Sequence, residues 1–250
     1  MAAKTKPVAI LAALALAALS ALALIGLGGV SRAEEGGPLF TGVSTKGGVH
    51  GTVSTKLTGT QIGAGLKIHK INAGTGKLEP NPVECAAVTF TGTIPAGIST
   101  EATVAPTFGG GCKGGGFGTV TVKTTGCSFR FYNLAKVKAD VYGSTLELEC
   151  DPNKDIEVQM FAAADEKVEE CKLTVQTANN TKLEGITFDD NTTLNPLTDV
   201  VATIDTKLEY SQSGNCGVVK GAFATMTGEV TFTGDSEVTP TEAVDVEISG

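Results

Sequence analysis

Six cysteines, two histidines, 27 acidic residues and one glycine tract are the places where this 250-residue chain could do chemistry. The cysteines stand at Cys85, Cys112, Cys127, Cys150, Cys171 and Cys216. An even number downstream of an export signal favours disulfides over free thiols. Zinc would need ligands roughly two to four residues apart, whereas the closest cysteines, Cys112 and Cys127, are 15 apart. Cys85 and Cys112 lie symmetrically about the turn at 95–99. Cys127 and Cys150 flank the midpoint between stretches 127–132 and 144–150, and Cys171 and Cys216 centre on 191–196. Nearest-neighbour pairing, one of several connectivities open to six cysteines, therefore predicts a bridge across the base of each of three hairpins. Phe129 and Phe131 share a face with Cys127, and Leu146 and Leu148 share one with Cys150. Cys85 has the opposite parity from Val88 and Phe90, so its strand needs a bulge or another partner.

The remaining candidates fall short of the chemistry they suggest. Gly109–Gly114 fits the G-x-G-x-x-G fingerprint, but that fingerprint works where a helix N-terminus follows and offers its N–H groups to a phosphate. Here a Val/Thr strand follows, so a flexible inter-strand loop is expected. Asp151, Asn153 and Asp155 occupy the first three ligand positions of a calcium loop, yet Ile156 and Ala162 stand where Gly and a bidentate Glu are needed. Asp189-Asp190-Asn191 reads as a polar turn. A nucleophile would need a base beside it. His50 lies in a glycine-rich turn, His69 alternates with Ile68 and Ile71 on an exposed strand face, and no G-x-S-x-G elbow occurs. Carboxylate pairs for glycoside cleavage usually accompany aromatic sugar platforms, and the chain has no Trp and three Tyr. Asn179-Asn-Thr181 and Asn191-Thr-Thr193 match glycosylation sequons by pattern in a threonine-rich chain. No catalytic, cofactor-binding or metal-binding residue is expected.

The elements that would carry these residues are strands. Glycine numbers 32 and threonine 34, while aromatics make up 5% and charged residues 18%, which suits neither a coiled coil nor a charged disordered chain. Period-two stretches rich in Val, Ile, Thr and Phe fall at 52–58, 66–71, 86–94, 101–108, 118–124, 127–132, 144–150, 155–161, 170–177, 184–189, 199–210 and 222–233. Only 162–170 has helix-forming composition. The expectation is a single all-β domain over 50–250, an antiparallel sandwich or barrel with intradomain disulfides and an acidic C-terminal tail. A flexible lead-in is expected at 34–49. Two echoes stand out: Val43-Ser-Thr-Lys46 with Val53-Ser-Thr-Lys56, read as a hairpin, and Val88-Thr-Phe-Thr-Gly92 with Val230-Thr-Phe-Thr-Gly234, read as two similar strands.

Residues 1–33 form a secretory signal. Lys4 and Lys6 precede an apolar run from Val8 to Val30, and Ser31-Arg32-Ala33 supplies a cleavage site. The alternative is a retained anchor over 8–30, because 23 apolar residues can span a bilayer. No cysteine follows for lipid attachment. Beyond residue 33 the chain has 16 basic against 27 acidic residues, a charge of −11. Such a chain is repelled by nucleic-acid phosphates and by anionic membranes once the signal is removed.

Cys85-Ala-Ala-Val-Thr-Phe-Thr-Gly-Thr93, Val104-Ala-Pro-Thr-Phe108, Val120-Thr-Val-Lys-Thr-Thr-Gly-Cys127-Ser-Phe-Arg-Phe131, Leu148-Glu-Cys150-Asp-Pro152, Cys171-Lys-Leu-Thr-Val175 and the closing 224–234 carry a resemblance. In this order they resemble uncharacterised secreted proteins of high-GC Gram-positive bacteria with six cysteines. The likeness spans about 60–235 and departs at the glycine tract around Cys112 and at Tyr132 or Asn133, where the family has a His. It implies export and β-architecture and supplies no active site. The expected function is a secreted, non-enzymatic structural or surface-interaction domain, with a cell-surface glycan or protein as partner. The alternative is a carbohydrate or cell-wall ligand-binding module, for which exposed Tyr132, Tyr142 and Tyr210 on one face would be the mark; a hydrolase comes third.

Overall fold

A computed structural model describes residues 39–44, 51–72, 75–97, 99–114, 116–164, 168–190, 200–216, 223–239 and 243–249. All belong to the unit Gly37–Gly250; the expected signal at 1–33 lies outside them. Fifteen strands run in chain order. They are β1 (Leu39–Ser44), β2 (Gly51–Thr52), β3 (Thr55–Lys70), β4 (Val83–Ile94), β5 (Ala102–Gly114), β6 (Phe117–Lys123), β7 (Cys127–Lys138) and β8 (Val141–Cys150). There follow β9 (Ile156–Phe161), β10 (Glu169–Val175), β11 (Leu183–Asp189), β12 (Val200–Glu209), β13 (Ser211–Gly214), β14 (Phe223–Ser236) and β15 (Ala243–Ser249). Every ladder is antiparallel.

Eight strands close a barrel in the order β3-β4-β5-β7-β8-β11-β12-β14 and back to β3. At this strand number the interior is about wide enough for side chains to fill it, and alternate residues do so. Phe90, Phe129, Phe131, Phe188 and Phe232 are buried there. Their ring centroids lie 5.9 Å apart for Phe90–Phe129, 6.0 Å for Phe90–Phe232 and 5.3 Å for Phe131–Phe188. The second echo explains two of these rings. Its copies lie on β4 and β14, on either side of β3, so that Phe90 and Phe232 both face Gly59. A Cβ on Gly59 would sit 2.6 Å from the Phe232 ring, so only glycine lets both rings in.

The outer strands cover the two ends. From the far half of β5, the strands β6-β9-β10-β13 form a sheet over one end. There Ile156, Val158 and Leu173 face Phe108, Phe129, Leu146 and Met226 around a cavity of about 30 Å³. At the other end β15 leaves β14 and carries β1 and β2. Phe40 and Val246 there meet Ile94, Phe131, Phe188 and Phe232 around about 20 Å³. Both spaces are apolar and about the size of one water or less, so they are packing gaps.

Several expectations need correcting. The stretches 52–58 and 66–71 belong largely to one long strand, β3, whose pairing shifts register between Thr60 and Lys67. Part of the lead-in at 34–49 is β1, and the acidic C-terminal tail supplies β15. Burial of consecutive β1 residues from Phe40 to Val43, and period-two burial of Val244, Val246 and Ile248, hold both in the sheet. The glycine tract continues β5 as far as Gly114. Glu169 opens a strand where helix-forming composition was noted. The first echo does mark a hairpin, with Val43 opposite Thr52.

Candidate functional site

All six cysteines are bridged: Cys85–Cys112, Cys127–Cys150 and Cys171–Cys216, closing sequence separations of 27, 23 and 45 residues. This is the nearest-neighbour pairing. Cys127 faces Cys150 directly across β7 and β8. The parity problem at Cys85 is solved by a bulge: the register shifts between Cys85 and Ala87, and Ala86 and Ala87 are both exposed. On β5 the extra length is taken up at Gly110, whose φ of 72° suits glycine. The Gln61 amide donates to the carbonyls of Cys85 and Ala86 (3.3 and 3.0 Å) and its Oε1 accepts the Leu66 N–H (3.3 Å), so one side chain braces both irregularities.

The bridged end also buries polar groups. Asn180 is fully buried and satisfied: its amide donates to Gln176 O (2.7 Å) and Glu209 O (3.0 Å), and its Oδ1 accepts the Glu209 N–H (2.9 Å). Lys70 donates to Cys216 O at 3.2 Å, and burial pulls its ammonium below the usual lysine range against the opposing charge of Glu79. Burial, with Glu79 adding to it, pushes the Tyr210 phenol up, and its hydroxyl has no partner among the described residues.

The sequence-derived candidates do not converge. Tyr142 and Tyr210 are buried and only Tyr132 is partly open, its hydroxyl donating to Thr181 O (3.1 Å) and its ring beneath Arg130. The tyrosines therefore do not form the single exposed face that would mark the alternative carbohydrate module, because two of the three rings turn inward. His69 is half-buried with Nδ1 3.2 Å from Glu79 O, and His50 lies outside the described residues. Asp151 and Asp155 sit in the turn between β8 and β9. Asn179 is exposed at the end of a short 3-10 turn; Asn191 is not described.

Asp190 is the titrating group with the clearest environment. Its Oδ2 accepts the Ile248 N–H at 3.2 Å, and its own N–H donates to Asp140 O at 2.8 Å. Burial raises its carboxyl to about 6; the Ile248 bond opposes this, and Glu247, Asp245 and Asp140 add to it.

A concavity that the sequence did not suggest lies on the outer wall. It is an open hollow of about 680 Å³ over β4 and β5. Thr91, Gly92, Thr93, Thr103, Ala105 and Ser128 form its floor, and Lys56, Glu101 and Glu237 stand on its walls. Thr93 is opposite Thr103, and Thr91 opposite Ala105. Glu101 is paired with Arg130 (3.1 Å), which also binds Glu147 and Glu149; Glu237 accepts the Ser54 hydroxyl. Threonines on β3, β4, β5 and β14 are ordinary strand residues by pattern, so nothing in the sequence set these apart.

No helix among the described residues is long and apolar enough to cross a membrane. Comparison of the chain with protein-family models, curated proteins and solved structures finds no match.

Proposed function

We propose that this is an exported, non-enzymatic domain with a structural or surface-interaction role, of the secreted six-cysteine kind its motifs resemble. The observation that carries the reading is the placement of space. The barrel interior is filled by phenylalanines and both ends are covered, while the large concavity lies outside on the threonine-rich wall. Three disulfides within one β-domain are compatible with an oxidising, extracellular setting. Secretion would proceed through the signal at 1–33 with cleavage after Ala33.

The test has two parts. Secreted material should begin at Glu34 on N-terminal sequencing; full-length chain in the membrane fraction would replace secretion with anchoring. Labelled protein should also be retained on washed cells of its source, and Thr103→Arg, which fills the groove from a solvent-facing strand position, should release it. Absence of retention would overturn the interaction role.

A further inference from the structure

The groove has a chemical character of its own. The floor presents the hydroxyls of Thr91, Thr93, Thr103 and Ser128 from exposed and half-exposed strand positions. A hydroxyl both donates and accepts and rotates to suit its partner. Cross-strand neighbours such as Thr93 and Thr103 hold their Cβ atoms about 5 Å apart, and Thr91 and Thr93 are about 7 Å apart along the strand. The floor is thus a small grid of reversible donors and acceptors. Ala105, exposed on β5, keeps the floor low there, so a flat ring can lie close to the sheet. The floor carries no charge; on the walls Lys56 stands with Glu101 and Glu237, and Arg130 is shared by Glu101, Glu147 and Glu149. In a chain of net charge −8 the floor is an uncharged patch within an acidic rim that disfavours anionic polymers. Its volume, about 680 Å³, falls within the roughly 300–1,000 Å³ of small-ligand sites.

We infer that this groove binds a neutral, hydroxyl-rich polymer, a polysaccharide strand lying along β4 and β5 and held by hydrogen bonds to Thr91, Thr93, Thr103 and Ser128. The inference rests on the surface-interaction reading and names the ligand class for that face. A nucleic acid would be repelled by the chain's charge. An extended peptide seeking backbone pairing finds β4 and β5 already paired to one another, with β3 and β7 on their outer sides. No aromatic side chain lines the groove, so each sugar is held weakly and several must be engaged at once.

The experiment is an NMR titration of the 15N-labelled protein with cellohexaose, chitohexaose and maltohexaose at millimolar concentration. At least one should shift amides of 91–93, 103–105 and 128. Thr93→Val/Thr103→Val keeps shape and strand preference while removing two hydroxyls, so it should weaken binding about tenfold without moving the thermal midpoint. The inference is overturned if no hexasaccharide shifts the groove, if the shifts lie elsewhere, or if the double variant binds equally well. It is likewise overturned by a concentration-dependent dimer whose contact maps to these residues. Cell retention that persists in the double variant and is not competed by the hexasaccharides would sink the glycan assignment and leave the surface-interaction role standing. Loss of retention by the unaltered protein would remove that role instead.

Discussion

At one end of the barrel, β6, β9 and β10 lay Ile156, Val158 and Leu173 over Phe108, Phe129, Leu146 and Met226, and all three disulfides lie in or next to the strands of that end. At the other end, β1 and β15 seat Phe40 and Val246 on an aromatic cluster, with no cysteine among the described residues. Both closures bury apolar side chains, and the difference lies in what else holds them. The bridged end is tied covalently and fixes its buried Asn180 and Lys70 with hydrogen bonds. The unbridged end rests on packing and places Asp190 beside Asp140, Asp245 and Glu247. The groove lies on the flank of this second end, and its wall residue Ser99 exchanges backbone hydrogen bonds with Phe40 of β1 (2.8 and 2.9 Å). The less tightly held closure therefore supports the proposed binding face.

The largest effect should come from reducing the bridges. In the chain-entropy model, loops of 23 to 45 residues contribute on the order of 3–4 kcal/mol each, against a typical total of about 5–15 kcal/mol. Full reduction should collapse the denaturation midpoint, and Cys127→Ala/Cys150→Ala should lower the unfolding free energy by about 3 kcal/mol. An unchanged midpoint after reduction would mean that the two ends do not differ in this way. Next in size, Phe40→Ala removes a buried ring whose centroid is 5.4 Å from that of Phe188. It should cost about 3 kcal/mol by calorimetry and expose β1 and β15 while β9 and β10 stay protected.

The smallest effect is electrostatic. Asp190 titrates near 3.8 in the unfolded chain and at about 6 in the fold, so the folded state holds the extra proton between these values. Its contribution is most favourable below the unfolded value and is lost as pH rises through about 6. The group is half-buried, and solvent screening reduces the penalty at neutral pH to about 1 kcal/mol. Asp190→Asn should accordingly raise the melting temperature at pH 7.5 and leave it nearly unchanged at pH 3.5. Equal shifts at both values would remove Asp190 as the cause.

Much of this architecture can be read from the chain because strands write themselves in period two. Alternation at 127–132 and 144–150 places Cys127 opposite Cys150, and the wrong parity at Cys85 calls for a bulge or another partner, of which the structure has the bulge. The closures at the chain ends were missed for a physical reason. β1 and β15 are short, mixed with Gly, Ser and Asp, and buried only because each finds the other across some 200 residues. The threonine groove was missed because an exposed Thr on a strand looks the same whether the surface there is convex or hollow. The echo around Phe90 and Phe232 was visible, but its meaning, two rings converging on Gly59, depends on β3 lying between the copies.

Hydrogen exchange on the intact, oxidised protein at pH 4.5 and pH 7.5, corrected for intrinsic rates, tests the contrast between the ends most directly. Amides of β1 and β15 should lose protection as pH rises, Asp190→Asn should restore it, and β6, β9 and β10 should hold theirs at both values. Equal protection of the two closures, or a loss shared by both on raising the pH, would contradict the division of the molecule into a bridged end and a pH-sensitive one.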